Sequence, residues 1–448
     1  MQHILIIGAG QSATSLISYL GEIAESHDWQ IILAEQNLQL AQKKAADFQN
    51  MQVVKFDVSD EAQVRAQVEK SDLVISMLPA RFHEIPAKYC ATLGRDFLTA
   101  SYLTEDIKAL EGAFRDHGKH GLMELGLDPG LDHMTAMQVL DRIKQEGGKL
   151  TGFETFTGGL LTEDGLEDNP WKYKFTWNPR NVVLAGSGNV QFIQDGRYKY
   201  IPYHRLFRRT EVLHIPGHGY FEGYANRDSL KYLDLYDLKG IGTLYRGTLR
   251  RPGFCKCWDL FVQLGATDDT YEMKNVDQMT HRQFINSFLQ YNPYDSVELK
   301  LAHYQNIDLE GEEMYKLKWL NIFSDQLVGL EKGTPAQILE HILRKKWTLD
   351  DHDRDLIVML HKFDFEVDGV PKQIQANLVV AGDDLENTAM AKTVGLPLGI
   401  ATKLLLTKKI HNPGVHIPTK NWLYRPILKE LEQIGFGLNE REVAVELP

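Results

Sequence analysis

Residues 2–13 read QHILIIGAGQSA, an apolar run that leads directly into glycines at positions 8 and 10 and an alanine at position 13. Such a run before a glycine turn is typical of a buried strand, and residues 14–25 continue with a helical pattern. At this kind of junction the first glycine permits a tight turn, the second lets the backbone approach a pyrophosphate, and the small third residue lets the helix pack closely. Helix N-termini also favour phosphate. The stretch therefore predicts a dinucleotide site, although an ordinary α/β turn would have the same glycines. The cofactor contacts predicted here are Gly8, Gly10, Gln11, Ser12 and Ala13.

A second apolar run, residues 30–34, ends at Glu35. An acidic side chain about 20 residues after the glycines is placed to bind the 2′-hydroxyl of the cofactor ribose. A carboxylate there would repel the 2′-phosphate of NADP. Glu35 therefore favours NAD over NADP.

The first 125 residues alternate short apolar runs with amphipathic segments, which predicts a Rossmann-like, doubly wound α/β domain. The clearest helical patterns lie at 38–48 and 61–70, and Asp60 is expected to cap the second. The predicted strands are 3–7, 30–34, 52–56, 73–77, 96–99 and 122–124.

Aromatic-rich runs with period-two alternation between residues 150 and 380 predict an α+β domain with a mostly antiparallel sheet. Exposed aromatic strands of this kind suggest a dimer interface. The predicted strands are 197–207, 220–224, 243–249, 256–263 and 361–367, and the predicted helices are 134–145, 277–289, 335–344, 388–394, 399–408 and 422–433. We predict a dinucleotide-binding domain at 1–130, completed by 385–448, and a substrate-binding and dimerisation domain at 131–384.

Composition narrows the function classes. The net charge is −12, which argues against a nucleic-acid or anionic-membrane partner. Three cysteines do not make a disulfide framework, and Cys255 and Cys257 are interpreted as packing residues on one face of a strand. The chain start lacks the pattern of a signal peptide, and no apolar stretch long enough to span a membrane is expected. We therefore expect a cytoplasmic protein. No residue set has metal-ligand spacing, and no nucleophile-elbow or P-loop motif occurs.

Ligands of open α/β sheets bind at the carboxyl ends of the strands. Residues 76–79 follow the fourth predicted strand, residues 100–102 follow the fifth, and Asp57 follows the third. Residues 124–133 (ELGLDPGLDH) then bring two aspartates and a histidine together after the sixth strand. Asp128 could orient or deprotonate an amine, or it could cap the helix that begins near residue 130.

Arginines cluster in two turns of the second domain, at 226–229 and 247–253. A guanidinium can hold a carboxylate through two parallel, charge-assisted hydrogen bonds. Solvated surface arginines are the alternative interpretation. In an acidic protein, two such clusters indicate a site for an anionic substrate.

Taken together, these motifs resemble the glutamate-forming saccharopine dehydrogenases, also called saccharopine reductases. The resemblance implies an oxidoreductase of lysine metabolism and amino-acid biosynthesis, which interconverts saccharopine with glutamate and 2-aminoadipate 6-semialdehyde using NAD or NADP. Saccharopine carries three carboxylates, which would give the arginine turns a role. The blocks that carry the resemblance are 8–13, 100–102, 124–132, 169–177, 222–229, 247–254 and 389–397.

The resemblance also implies roles for individual residues. Asp128 and Tyr102 are the titratable candidates for proton transfer. The implied substrate contacts are Ser101, Tyr102, Asp128, Arg227, Thr248, Leu249 and Arg250. The cofactor contacts that add to the glycine turn and Glu35 are Asp57, Val58, Met77, Ala100, Ser101, Leu127, Asp128, Pro129 and Thr176. Because Thr157 stands where relatives have cysteine, no thiolate role is expected.

Two other functions remain open at this stage. A carboxynorspermidine synthase-like enzyme would also condense an amine with an aldehyde, but its diamine substrate would need acidic contacts in place of Arg227 and Arg250. A non-catalytic NAD-binding sensor would require loss of site residues, and the expected ones are present.

Overall fold

Seven parallel strands, within the described residues, form the sheet that carries the glycine turn. The structure is a computed structural model that describes residues 1–166 and 168–444. It divides into two compact units, Met1–Leu150 with Phe365–Pro448, and Thr151–Asp364. The elements at the start of the first unit are β1 (Gln2–Ile7), α1 (Thr14–Ala24), β2 (Trp29–Glu35), α2 (Leu38–Ala45), β3 (Met51–Lys55), α3 (Glu61–Glu69), β4 (Leu73–Ser76), α4 (Glu84–Leu93), β5 (Asp96–Thr99), α5 (Glu105–Lys108), α6 (Glu111–Asp116), β6 (His120–Leu122) and α7 (Leu131–Gln145).

The second unit contains a mixed, mostly antiparallel sheet. Strands β10 (Thr210–Ile215), β11 (Gly219–Ala225) and β12 (Thr243–Arg250) pair antiparallel in that order, and β12 pairs parallel with β7 (Lys149–Leu161). Its elements are β7 (Lys149–Leu161), α8 (Pro179–Val183), β8 (Val190–Gln194), β9 (Arg197–Ile201), β10 (Thr210–Ile215), β11 (Gly219–Ala225), α9 (Tyr232–Leu235), β12 (Thr243–Arg250), α10 (Phe254–Leu264), α11 (His281–Asn286), α12 (Val297–Gln305), α13 (Glu312–Trp319), α14 (Pro335–Trp347) and β13 (Asp355–Val367).

The chain then completes the first unit. Its last elements are β14 (Val370–Ala381), α15 (Ala389–Leu406), β15 (Gly414–His416), α16 (Asn421–Gln433) and β16 (Asn439–Val443). Strand β15 extends the parallel sheet beside β6 in the order β15-β6-β5-β4-β1-β2-β3. Its three residues were too few to give a sequence signal.

The doubly wound domain is confirmed, and five of its strands lie within one residue of their predicted bounds. Residues 4–7 of β1 are fully buried, as expected for a strand covered on both faces. Asp60 caps α3 by accepting a hydrogen bond from the Gln63 N–H. The sixth strand lies earlier than predicted, at His120–Leu122, because the chain turns sharply at Glu124, where φ is +59°.

The predicted strand at 256–263 was wrong, because this segment is the helix α10. Cys255, Cys257, Trp258 and Phe261 are all buried, so a broad apolar helix face produced a short stretch that alternates like a strand. Both cysteines are free and pack in the core of the second unit. Their interpretation as packing residues is confirmed, but on a helix.

The tail also differs from its prediction, since one helix, α15, runs through Pro397 where two helices were expected. A Cβ atom at Gly395 would lie 2.6 Å from the backbone nitrogen of Leu16, and a Cβ atom at Gly399 would lie 2.6 Å from the Tyr19 ring. The glycines therefore allow α1 to pack closely against α15. With a mean hydropathy of 1.3 over 18 residues, α15 is long and apolar enough to cross a membrane by length and composition alone. About two thirds of it (67%) is buried, however, as in the core helices of many proteins.

Helix α7 belongs to the first unit, whereas the predicted boundary at 130/131 placed it in the second. The Tyr424 hydroxyl in α16 donates to Asp141 at 2.6 Å, and Arg142 forms an ion pair with Glu440 in β16. These contacts hold α7 against the end of the chain. The structural division therefore lies at 150/151 and 364/365.

Candidate functional site

The glycine turn has the shape that a dinucleotide requires. Gly8 has φ of +102°, and a Cβ atom there would lie 3.0 Å from the Met77 carbonyl oxygen. Gly10 is exposed, and a Cβ atom there would meet no atom within 4 Å, so the space above it is open. Ala13 is 1% exposed and ends a short 3₁₀ turn, residues 11–13, that leads into α1. Gln11 is exposed and Ser12 half-buried on this turn, and the residues present fit a pyrophosphate.

Glu35 lies at the carboxyl end of β2, beside the turn. Its two carboxylate oxygens accept hydrogen bonds from the Ala9 N–H at 2.7 Å and the Asn37 N–H at 3.0 Å. Lys44 also reaches the turn, since its ammonium donates to the Gly10 carbonyl at 2.8 Å and to the Thr14 hydroxyl at 2.7 Å. Burial lowers the pKa of Lys44 to about 8, while Glu386 and Glu35 oppose the shift. An acidic and a basic group thus flank the place expected for the ribose.

The ends of β4 and β5 are joined by a histidine that the sequence did not reveal as functional. The His83 ring lies between two hydroxyls, with Nδ1 2.8 Å from Ser76 Oγ and Nε2 2.6 Å from Ser101 Oγ. His83 is 3% exposed, and burial lowers its pKa to about 4. Met77 is half-buried at the end of β4, and Ala100 is half-buried after β5.

The depressed pKa of His83 predicts a specific loss of stability in acid. The unfolded chain takes up a proton near pH 6.5, whereas the folded chain does so only near pH 4, so acid favours unfolding over this range. The difference between the two values corresponds to about 3 kcal/mol at most. We expect the free energy of unfolding, measured in urea, to fall less steeply between pH 6.5 and 4 in His83→Asn than in the wild type. Equal slopes would contradict the prediction.

Tyr102 and Asp128 are brought together in the first unit. The Tyr102 hydroxyl donates to Asp128 Oδ1 at 3.4 Å, with Tyr102 39% exposed and Asp128 half-buried. The Asp128–Pro129 peptide bond is cis, and Leu127 and Pro129 are buried. Asp128 does not cap α7. The N-cap position is Gly130, whose N–H donates to the side chain of Asp132 at 2.6 Å.

A buried carboxylate–imidazole pair supports the loop that carries Tyr102. Glu124 Oε2 lies 2.7 Å from His133 Nε2, and both side chains are buried. The other Glu124 oxygen accepts from the Leu103 N–H at 2.9 Å. The Glu124 N–H donates to the Ser101 carbonyl at 3.0 Å. This pair therefore fixes the backbone on both sides of Tyr102.

Asp57 is exposed, and Val58 beside it is buried. Asp57 Oδ1 accepts from the Ser59 N–H at 2.9 Å, an arrangement that shapes the turn after β3. Among the described residues, no hydrogen bond to the other Asp57 carboxylate oxygen is formed. A contact of Asp57 with the cofactor stays a prediction.

In the second unit, Arg250 is a buried cation without a carboxylate partner among the described residues. It is 5% exposed, and its Nη1 donates to the Leu249 carbonyl at 3.0 Å. Its Nε has no hydrogen-bond partner in the part of the chain that the structure describes. The guanidinium carbon lies 5.1 Å from the Tyr173 ring centre and 5.3 Å from that of Phe254. Burial of a cation without a counter-ion is costly, so this site fits an anionic group of a ligand.

Two hydroxyls are among the other buried side-chain atoms of the second unit that lack hydrogen-bond partners within the described residues. They are the Tyr173 hydroxyl and the Thr176 hydroxyl, on residues that are 1% and 2% exposed. Burial raises the pKa of Tyr173 to about 12, so its hydroxyl keeps its proton near neutral pH. The sequence assigned a role to Thr176 but none to Tyr173, which resembles any other core tyrosine.

The remaining predicted substrate contacts of the second unit differ in exposure. Arg227 is exposed, with φ of +54°, Thr248 is half-buried and Leu249 is fully buried. A Cβ atom at Gly158 would lie 2.7 Å from the Leu249 carbonyl, so this glycine allows β7 to approach β12. The side chain of Leu249 is a core residue, and its backbone is the part that could contact a ligand.

Comparison with known proteins places both halves of the chain in one family. Residues 4–121 match the family model "Saccharopine dehydrogenase NADP binding domain", and residues 126–436 match "Saccharopine dehydrogenase C-terminal domain". The chain is 31% identical to the saccharopine dehydrogenase [NADP(+), L-glutamate-forming] of Pyricularia oryzae, over 99% of each chain. It is 32% identical to the mitochondrial alpha-aminoadipic semialdehyde synthase of Rattus norvegicus, of which it spans 47%.

Comparison with solved structures gives the same family. The apo saccharopine dehydrogenase (L-Glu forming) of Saccharomyces cerevisiae matches with a TM-score of 0.90 and 29% identity, over 99% of this chain and 100% of that one. A homospermidine synthase of Legionella pneumophila, in complex with NAD, matches with a TM-score of 0.56 at 11% identity, which shows a shared fold alone. The chain belongs to the saccharopine dehydrogenase family.

Proposed function

We propose that this chain is an oxidoreductase of lysine metabolism that interconverts saccharopine with glutamate and 2-aminoadipate 6-semialdehyde. In the oxidative direction, saccharopine, NAD(P)⁺ and water give glutamate, the semialdehyde, NAD(P)H and a proton. Of the two carbons attached to the secondary amine, the one that becomes the aldehyde carbon of the semialdehyde gives up the hydride. Water then hydrolyses the resulting imine. The proposal rests on full-length similarity to enzymes named for this reaction.

The structural observation that supports it best is the buried guanidinium of Arg250 without an anionic partner among the described residues. Saccharopine carries three carboxylates, and a carboxylate would supply the missing partner through charge-assisted hydrogen bonds. Arg227, Ser101 and the backbone at Thr248 and Leu249 are the other groups that we assign to substrate. The amines of a carboxynorspermidine-type substrate would need acidic contacts in place of Arg227 and Arg250, which disfavours that alternative.

The chain's own residues contribute mainly by positioning the reactants. The dinucleotide supplies the hydride acceptor, held by the glycine turn and Glu35, and alignment of bound reactants removes much of the entropic barrier. We assign proton transfer at the amine or at water to Asp128 and Tyr102, whose side chains are hydrogen-bonded to each other. The roles proposed for the domains are cofactor binding by residues 1–130 with 385–448, and substrate binding by 131–384.

Absorbance at 340 nm tests the proposed reaction. Purified protein with saccharopine and NAD⁺ or NADP⁺ at high pH is expected to produce the reduced cofactor, and its formation should depend on saccharopine. No absorbance change with either cofactor would refute the proposal and favour a different amine substrate or a non-catalytic role.

We further propose that NAD is preferred to NADP, because of the Glu35 carboxylate beside the glycine turn. The Pyricularia oryzae relative and the matched N-terminal domain carry NADP in their names, and Lys44 at the same turn could attract a phosphate. We expect kcat/KM to be higher with NAD⁺ in the wild type. Glu35→Ala should shift the ratio toward NADP⁺ by roughly tenfold, since charge repulsion over several ångströms near a protein surface amounts to one or a few kcal/mol.

A second variant and direct binding measurements test the predicted preference for NAD. Lys44→Met should shift the ratio in the opposite direction to Glu35→Ala if the ammonium attracts the 2′-phosphate. Dissociation constants for NADH and NADPH, measured by fluorescence, should show the same order as the kinetic ratios. A strong preference of the wild type for NADPH would eliminate the proposed role of Glu35.

We also propose a cytoplasmic homodimer formed through the second domain. Tyr198, Tyr200 and Tyr220 are 60%, 64% and 60% exposed on strands β9 and β11, and aromatic side chains are common in interfaces. Light scattering should give twice the chain mass in the wild type and a single chain mass in Tyr198→Lys/Tyr200→Lys. A monomeric wild type would refute the dimer.

A further inference from the structure

The hydrogen bonds around His83 determine which way a substrate-binding hydroxyl points. His83 lies between Ser76 at the end of β4 and Ser101 after β5. Each of its ring nitrogens is within hydrogen-bond distance of one serine oxygen. A neutral imidazole carries one proton, so one serine donates to the ring and the other accepts from it.

The surroundings of Ser76 determine whether the ring proton of His83 lies on Nδ1 or on Nε2. Its side chain is fully buried, and within the described part of the chain its hydroxyl has one partner, Nδ1 of His83. If the imidazole donated from Nδ1, the Ser76 proton would have no acceptor, and an unsatisfied buried donor costs about 1–3 kcal/mol. If Ser76 donates to Nδ1, both the buried Ser76 proton and the ring proton have partners. The ring proton then resides on Nε2.

A proton on Nε2 is donated to Ser101 Oγ, which lies 2.6 Å away. Ser101 Oγ then accepts from the ring, so its own hydroxyl proton is not donated to His83. Within the described residues, no other acceptor contacts this oxygen. Ser101 is half-buried, and its neighbour Tyr102 reaches Asp128. Its proton is therefore available to a ligand oxygen.

The backbone around this arrangement is also fixed. The Thr99 hydroxyl donates to the Ser76 carbonyl at 2.8 Å and accepts from the Ser101 N–H at 3.3 Å. The low pKa of His83 keeps the ring neutral near pH 7, so it does not donate to both serines.

We infer that His83 is a positioning residue: held by Ser76 with its proton on Nε2, it donates to Ser101 and makes the Ser101 hydroxyl a hydrogen-bond donor to a carboxylate of the substrate. The ligand class rests on the proposed function, whereas the position of the ring proton does not. The opposite tautomer would make Ser101 an acceptor, which suits an ammonium or amide donor instead of a carboxylate.

The tautomer can be measured directly in the protein without any ligand. Nuclear magnetic resonance of a ¹⁵N-histidine sample, with the His83 signals assigned from a His83→Asn spectrum, should show the proton on Nε2 and none on Nδ1. A proton on Nδ1 would overturn the inference. The outcome does not depend on whether the protein uses saccharopine.

Calorimetry of saccharopine binding to the protein with cofactor tests the consequence. A hydrogen bond to a charged group contributes about 1.5–3 kcal/mol, so Ser101→Ala should weaken binding by roughly ten- to 100-fold, while Ser101→Thr retains most of the affinity. His83→Phe should weaken binding similarly, with little further effect in the Ser101→Ala background. Additive effects of the two substitutions would overturn the positioning role.

Ser71→Ala is the matched control, because it also removes a buried serine hydroxyl, at the other end of β4. It should leave the dissociation constant of saccharopine unchanged. An equal loss in Ser71→Ala would assign the effect to general destabilisation and overturn the inference. A wild type that binds no saccharopine would refute the proposed function, and the tautomer measurement would still test the arrangement of the two serines.

Discussion

Arg250→Met is expected to lower kcat/KM for saccharopine by about 30- to 4,000-fold while leaving the protein at least as stable as the wild type. The fold-change follows from a loss of about 2–5 kcal/mol when one partner of a buried charge pair is removed, at 1.4 kcal/mol per tenfold. Methionine approximates the length of the arginine stem but cannot bind a carboxylate. Steady-state kinetics at 340 nm and urea unfolding give the two quantities.

The unusual combination of lost activity and retained stability follows from the surroundings of Arg250. Within the described residues no carboxylate neutralises it, and aromatic rings of Tyr173, Tyr224 and Phe254 surround it. The folded protein therefore bears the cost of a buried cation, which the rings and one carbonyl offset only in part. Replacing the cation by an apolar side chain removes that cost.

Arg251→Met is the matched control, since Arg251 is adjacent and similarly buried. Its guanidinium donates to the His218 carbonyl at 3.2 Å and to the Leu161 carbonyl at 3.4 Å. Loss of these bonds should destabilise the protein by about 1–3 kcal/mol, with a smaller effect on KM than Arg250→Met. Equal kinetic effects of the two substitutions, or a large loss of stability in Arg250→Met, would contradict the assigned role of Arg250.

The parts of the site that the sequence predicted are those built from neighbouring residues. The turn at Gly8, Gly10 and Ala13 depends on local backbone geometry, so the spacing of these residues was sufficient to predict its shape. The surroundings of Arg250 are different, because Tyr173, Tyr224 and Phe254 come from separate segments of the second unit. No local pattern connects them, and only the folded chain shows that the cation lacks a carboxylate partner among the described residues.

The same reasoning explains why His83 and Lys44 were missed. Each is a single residue in an ordinary helical or turn context, and each gains its importance from partners at the ends of other strands. The segment that forms α10 was predicted as a strand for a related reason. Burial around most of a helix removes the polar face that would distinguish it from a strand. Tertiary surroundings therefore account for most of what the sequence did not predict.

Gly130→Ala is expected to destabilise the first unit by about 3–5 kcal/mol. It should also lower the activity of the protein that remains folded. Gly130 has φ of +147°, which is unfavourable for any residue with a side chain. A Cβ atom there would lie 2.1 Å from the Gly126 carbonyl oxygen and 2.4 Å from the Gly126 nitrogen. These are rigid backbone atoms, so the turn that holds Asp128 would have to open.

Gly147→Ala separates backbone strain from steric overlap. Gly147 follows the other end of α7 with φ of +79°, and a Cβ atom there would meet nothing within 4 Å. This substitution should cost only about 1–2 kcal/mol, the penalty of the left-handed backbone. Urea unfolding of both variants measures the difference. Because the 126–130 turn positions Asp128, kcat should fall in Gly130→Ala and stay near the wild-type value in Gly147→Ala. Equal unfolding midpoints for the two variants would show that the turn can open at little cost, and Asp128 would then not be held rigidly for catalysis.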